Sequence, residues 1–250
     1  MQTNPKTIKN QFKKSIDKYD ENAVVQAITA KRISDILSKY KFENILEIGA
    51  GSGILTAQMS KNHNYKEYFA NDLVEKSEIY VKKYIPDVKF FTGDFRKIKF
   101  NKTFDLVVSN AVFQWYEDLE KIFKQCKMLL NTNGIMAFST FSPDNFKEIK
   151  AVTGLSLRYK TAEELTSILT KDFEIIKIEN TEHKMTFDNP LKILAHMKNT
   201  GVNSLSGNHW GIKEVKEFCN NYSKMFPDLT LTYTPIIVIA RSKRLCDEAI

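Results

Sequence analysis

Sulfur and imidazole chemistry are scarce in this chain, whose 250 residues include three cysteines and four histidines. Cys126, Cys219 and Cys246 lie far apart and never form a C-x-x-C pair. That usage fits a reducing compartment and excludes both a disulfide framework and a zinc-cysteine site. His63, His183, His196 and His209 show no metal-ligand spacing, so no metal is expected. Arginine is scarce too. Of 37 basic residues only Arg32, Arg96, Arg158, Arg241 and Arg244 are arginine, while the net charge is +7. A nucleic-acid groove leans on guanidinium forks, so a lysine-dominated surface argues against a nucleic-acid partner. No apolar run is long enough to span a bilayer, and the basic N-terminus lacks the apolar centre of a signal peptide. The expectation is a cytoplasmic protein without a membrane partner. With six prolines, nine glycines, no repeat and no linker, residues 1–250 read as one domain, and 42% apolar residues suffice for its core.

Against that background one stretch stands out: ILEIGAGSG, residues 45–53. A short apolar run passes at once into Gly49, Gly51 and Gly53, and helix-like spacing resumes at Ile54-Leu55-Thr56-Ala57. This is a buried strand, a tight turn and a helix. Glycine at alternate positions lets a ligand approach the main chain closely. The spacing differs from G-x-G-x-x-G, which seats a pyrophosphate at a helix N-terminus. Glu47 beside the loop would repel phosphates but suits a cationic amino-acid moiety such as that of S-adenosylmethionine.

From Glu43 onward strands and helices alternate, which predicts a mostly parallel sheet with helices on both faces. Strands are expected at about 43–48, 66–71, 87–91, 103–109 and 134–141, then at FEIIKIEN, and last over LTLTYTPIIVIARS with Pro235 at an edge or bulge. Asp72 follows the second strand, where a carboxylate can accept both ribose hydroxyls of an adenosine cofactor. Asp94 can face an adenine amino group, with Phe95 either stacked on the ring or simply in the core. The fourth strand runs into Ser109-Asn110 and the aromatics Phe113, Trp115 and Tyr116, which would floor a site beyond the strand ends. Asn110 is not followed by Pro-Pro-Tyr/Phe, the arrangement typical of enzymes that methylate amino groups of adenine, cytosine or glutamine. Upstream, residues 1–40 hold two helical patterns with eight basic residues against four acidic ones, joined through KYDENAVVQ with Asp20 and Asn22 as cap candidates. Downstream, Thr161 and Glu164 spell a capping box, and NPLKILAHMKN opens a helix after Asn189-Pro190.

Taken together, EIGAGSG, Asp72, Asp94-Phe95 and FDLVVSNAVFQW resemble the class I S-adenosylmethionine-dependent methyltransferases, a Rossmann-like fold with a mostly parallel seven-stranded sheet. FKKSIDKYDENAVVQ, SNAVFQW, NPLKILAHMKNTGVNSL and LTYTPIIVIAR narrow the resemblance to the malonyl-acyl-carrier-protein O-methyltransferases of biotin synthesis. The resemblance implies methylation of the free carboxylate of a malonyl thioester, on an acidic acyl carrier protein or on coenzyme A, with S-adenosylhomocysteine as by-product. It implies that Glu47, Gly49, Gly51, Gly53, Asp72, Leu73, Asp94, Phe95 and Asn110 hold the cofactor. Residues 1–40 would form a helical lid carrying Tyr19 and Gln26, and insertions at 142–171 and 188–225 would form the acceptor side. Tyr19, Trp115 and Arg158 would position the substrate, Arg158 by gripping the malonyl carboxylate. No general base is expected, because that carboxylate is already ionised at neutral pH. A methyltransferase for another small carboxylate or a ring acceptor would share every cofactor residue.

Overall fold

The computed structural model describes residues 5–201 and 210–243. Two helices, α1 (Pro5–Asn22) and α2 (Val24–Leu37), precede an alternating series: β1 (Asn44–Ile48), α3 (Ile54–Asn62), β2 (Glu67–Asp72), α4 (Ser77–Lys82), β3 (Lys89–Thr92), β4 (Phe104–Asn110), α5 (Leu119–Leu129) and β5 (Leu130–Phe141). Next come α6 (Lys147–Thr153), α7 (Ala162–Leu169), β6 (Phe173–Asn180), β7 (His183–Thr186), α8 (Pro190–Asn199), α9 (Ile212–Met225), β8 (Thr230–Tyr233) and β9 (Pro235–Ser242). Seven strands form one sheet in the order β3-β2-β1-β4-β5-β9-β6. Neighbours from β3 to β5 pair in parallel, whereas β9 runs antiparallel to both β5 and β6. The order reverses between β1 and β4, so the carboxyl ends of those strands open a crevice there.

The strands are apolar on both faces because helices cover both. Leu46, Ile48, Val107, Phe138 and Val238 pack on one side, with α5 and α7; Ile45, Ala70, Leu106, Val108 and Ile239 pack on the other, with α2 and α3. A third cluster lies off the end of the sheet. There Phe141, Phe146, Ile193, Phe218, Tyr222 and Tyr233 join α6, α8, α9 and the small β7-β8 sheet. The segment 142–171 therefore divides: α6 belongs to this added layer, while Leu165 and Leu169 of α7 are fully buried in the core beneath the sheet.

Three local expectations are corrected. Asp20 and Asn22 do not cap α2. Instead α1 continues to Asn22, and Ala23, fully buried, donates its N–H to Tyr19 and accepts from Ala27, so the two helices meet with almost no connection. The final apolar run is two strands rather than one. Pro235 opens β9 opposite Phe141, inside the sheet and not at its edge, a place open to proline at a strand's first residue. Strand β7 was not expected from HKMT, whose burial alternates with the weak contrast of a two-stranded ribbon. The Thr161 and Glu164 capping box is present, with both reciprocal bonds made.

Leu165→Ala is expected to lower unfolding free energy by about 2–5 kcal/mol in chemical denaturation, since it empties a fully buried site. A loss well under 1 kcal/mol would contradict the assignment of α7 to the central core.

Candidate functional site

The crevice at the carboxyl ends of β1, β2 and β4 is a cavity of about 870 Å³, roofed by α1. Its floor begins where β1 ends. Gly49, Gly51 and Gly53 all have positive φ, at 70°, 55° and 84°. A Cβ on Gly49 would come within 2.4 Å of a Val112 methyl, whereas one on Gly51 would meet no atom closer than 4.0 Å. Crowding by the Val112 side chain dictates the first glycine, and the open cradle above the loop the second. The turn is pinned from β2: Gly49 and Ala50 donate their N–H groups to Asn71, and Gly51 donates to Asp72 at 2.8 Å. The other Asp72 oxygen accepts from Val74 at 2.7 Å, so this carboxylate is held at both ends.

Of the proposed cofactor residues, Gln26, Glu47, Gly49, Gly51, Asp72, Leu73, Asp94 and Asn110 all line this cavity. Gly53 instead heads α3, and Phe95 is 1% exposed within the core, against Phe100. Of the two alternatives for Phe95 the core one holds: the 3-10 turn that Asp94 caps rotates its side chain beneath the sheet. Asp94 itself grips Arg96 through Nε at 2.9 Å and Nη2 at 2.5 Å. Asn110 spends its amide on the scaffold. Its Oδ1 accepts from Thr29 at 2.7 Å and Ser139 at 2.6 Å, and its Nδ2 donates to the Gln26 carbonyl at 2.9 Å.

Tyr19 and Trp115 face the cavity, together with Phe12, which was not among the expected site residues. Phe12 lies between them, 5.8 Å from Tyr19 and 6.0 Å edge-on to Trp115. Ile8, Phe12, Ile16 and Tyr19 recur at helical spacing, but nothing in that spacing says that the stripe faces a cavity. Phe113 is core. Behind the aromatic wall sits a second, small chamber of about 10 Å³, sharing Phe12, Tyr19, Gln26, Ala111 and Trp115 with the first. Arg158 is exposed and lines neither space, so the structure does not bring it to the site; its neighbours Leu157 and Tyr159 line the chamber. Of the TGVN segment, Thr200 borders the chamber and Gly201 lies against Phe12, while Val202 and Asn203 fall outside the described residues.

Comparison with known proteins assigns this geometry. Residues 46–138 match the family described as methyltransferase domain. The malonyl-(acyl-carrier protein) O-methyltransferase of Calditerrivibrio nitroreducens is 32% identical over 246 residues, covering 96% of this chain and 98% of that protein. The enzyme of the same name from Chlorobium phaeovibrioides is 33% identical, covering 94% and 95%. The chain belongs to this O-methyltransferase family. Among solved structures, the N-methyltransferase NodS from Bradyrhizobium japonicum, in complex with S-adenosyl-L-homocysteine, superposes with a TM-score of 0.59 at 13% identity, covering 94% and 98%. The YcgJ protein of Bacillus subtilis superposes at 0.60 with 14% identity over 86% and 99%. These two show the shared fold.

In this methyltransferase the cavity is acidic at one end. Glu47 is buried, and Thr56 and Tyr68 each donate a hydroxyl to it at 2.7 Å. Burial raises its pKa to about 7, against the smaller lowering by those two hydroxyls. Burial also raises Asp72, and the Arg96 guanidinium lowers Asp94. No cluster of metal-ligating side chains occurs among the described residues.

Because Glu47 titrates near 7 when folded and at 4.5 ordinarily, the folded state holds the extra proton between those values. Stability from this group is full below about pH 4.5, falls as pH rises, and is flat above about 7. Glu47→Gln should therefore raise Tm at pH 8, by an amount equivalent to at most about 3 kcal/mol, and by much less at pH 5. Equal effects at both pH values would contradict it.

Proposed function

We propose that this chain binds S-adenosylmethionine in the large cavity and transfers its methyl group to the free carboxylate of a malonyl thioester carried by acyl carrier protein, or by coenzyme A, in early biotin synthesis. The observation that carries the reading is near full-length similarity to enzymes of that name, joined to a cavity whose buried groups suit the donor. Glu47, ionised beside a cation, would take the ammonium of the methionine moiety. Asp72 would take the ribose hydroxyls, and Asp94 with Leu73 would border the adenine. Gln26 Oε1 and Ser52 Oγ are buried in the lining without a hydrogen-bond partner among the described residues, which supports a polar ligand there.

Bound S-adenosylmethionine supplies an electrophilic methyl on a sulfonium. With it bound, one carboxylate oxygen of the acceptor would form the new O–C bond as the C–S bond breaks and its electron pair passes to sulfur, so that a neutral ester and a neutral thioether would result. No proton moves, so no base is required, and among the described residues the lining has no histidine or cysteine. The protein's contribution is alignment at near-attack distance and exclusion of water, for which Tyr19, Phe12 and Trp115 form the partition. Residues 1–40 would serve as a lid, and the layer of α6, α8 and α9 as the acceptor side. The carrier is acidic in this reading, and the exposed Lys13, Lys14 and Lys18 of α1 would steer it. Among the described residues no helix is long and apolar enough to cross a membrane, and the reading places the enzyme in the cytoplasm.

Labelled methyl transfer tests the reaction directly. Malonyl carrier protein should be labelled and acetyl carrier protein should not; equal labelling of both, or of neither, contradicts the proposal. Charge reversal at Lys13, Lys14 and Lys18 should raise the KM for the carrier about tenfold or more at low salt, with the difference shrinking at 0.5 M salt. An unchanged KM would remove these lysines from docking.

A further inference from the structure

The small chamber behind Tyr19 and Trp115 is lined by no charged side chain among the described residues, although the acceptor read above is a carboxylate. Its polar lining includes Gln26, Gln114, Asn145 and Thr200 and the hydroxyl-bearing Tyr19, Tyr159 and Tyr233. One of these has its hydrogen-bonding sense fixed by the fold. Asn145 is 1% exposed, and its Oδ1 accepts the Thr234 backbone N–H at 3.1 Å. That bond fixes the amide's orientation and turns Nδ2 toward the Tyr159 hydroxyl, to which it donates at 3.2 Å. Tyr159 is thus an acceptor from behind, leaving its own O–H to donate elsewhere, and the side chain borders the chamber. The Tyr159 ring is set by Phe141, 6.2 Å away between centroids and itself buried. Across the chamber Gln26 is 4% exposed, with an Oε1 that has no partner among the described residues, and it lines both spaces.

We infer that Tyr159, held as a donor by Asn145, contacts the acceptor carboxylate from the chamber side, with Gln26 at the junction, so that neutral groups rather than Arg158 recognise the acid. The proposal rests on the carboxyl-methylation reading. Methylation removes the acceptor's charge as the reaction proceeds. A guanidinium on that carboxylate would bind the ionised reactant more tightly than the transition state and slow the step. It would also face a neutral ester afterwards as a buried, unpaired cation. A phenol and an amide avoid both penalties, because an ester carbonyl still accepts their hydrogen bonds. The same logic identifies Asn145 as a positioning residue that acts through Tyr159.

The test is steady-state kinetics with S-adenosylmethionine and malonyl carrier protein, alongside direct measurement of S-adenosylmethionine affinity and Tm. Tyr159→Phe should lower kcat/KM for the malonyl carrier about tenfold or more, the usual cost of a lost hydrogen bond to a charged group. Cofactor Kd and Tm should stay unchanged. Asn145→Asp keeps an acceptor for Thr234 but also accepts the Tyr159 proton, turning that donor away from the chamber. It should reproduce the loss, and the double variant should be no worse than either single one. Arg158→Gln should change kcat/KM less than threefold. A wild-type-like Tyr159→Phe, an additive double variant, a parallel loss of cofactor affinity, or a tenfold loss in Arg158→Gln would each overturn the inference. Should the wild-type enzyme itself fail to methylate the malonyl carrier, the reaction assignment falls and the inference with it.

Discussion

The site depends on one half-buried amide. Asn110 ends β4 and joins it to β5 through Ser139 and to α2 through Thr29 and the Gln26 carbonyl. Such a group costs little only when its donors and acceptors are matched, and here the matching partners sit on two other elements, α2 and β5. The bonds set where α2 starts along the sheet. They thereby place Gln26 at the point where the two cavities meet. Directly afterwards Ala111 adopts φ 55°, with its N–H given to Ser139, and the chain leaves the strand to form the aromatic partition. Through the almost seamless joint at Ala23, the placement of α2 also determines the path of α1. Strand end, roofing helix and partition therefore share one register.

What keeps α1 over the cavity is chiefly burial. Ile8 and Ile16 are 6% and 4% exposed on an otherwise lysine-rich helix, and each such side chain is worth about 1.5–3 kcal/mol on full burial. Phe12 adds contacts with Tyr19, Trp115 and Gly201, tying α1 to the end of α8. The ion pairs Lys9 with Glu75 and Asp17 with Lys76 are exposed and screened by salt, so they orient the helix more than they hold it. A roof made this way buries apolar surface on both its partners and can exclude water from the partition, the condition that an already ionised nucleophile needs.

The parallel sheet and the glycine turn were readable because both depend on local rules: apolar strands flanked by helices, and a main chain that must bend without side chains. Glu47 and Asp72 were readable for the same reason, as acidic residues at fixed places relative to that turn. What escaped the sequence was orientation. Phe95 follows Asp94 in a pattern compatible with stacking, yet the short 3-10 turn directs it into the core. Asn110 has the right place for a ligand contact, but its side chain is satisfied by Thr29 and Ser139, which lie 81 and 29 residues away. The split of the last apolar run into β8 and β9 follows from pairing with β7 on one side of Thr234 and with β5 and β6 on the other, which no local spacing encodes. Arg158 and Tyr159 are adjacent in sequence, and only the fold decides which of them lines the chamber.

The central claim is that donor and acceptor meet across the wall of Tyr19, Gln26 and Trp115, with the acceptor acid seen by neutral groups. The most direct measurement is a crystal structure of the chain with S-adenosylhomocysteine and a non-transferable malonyl thioester. The account predicts the thioether sulfur in the large cavity, near Gln26, and a malonyl carboxylate oxygen within hydrogen-bond distance of the Tyr159 hydroxyl. A carboxylate held instead by the Arg158 guanidinium, or seated outside the chamber beyond reach of Tyr159 and Gln26, would contradict it.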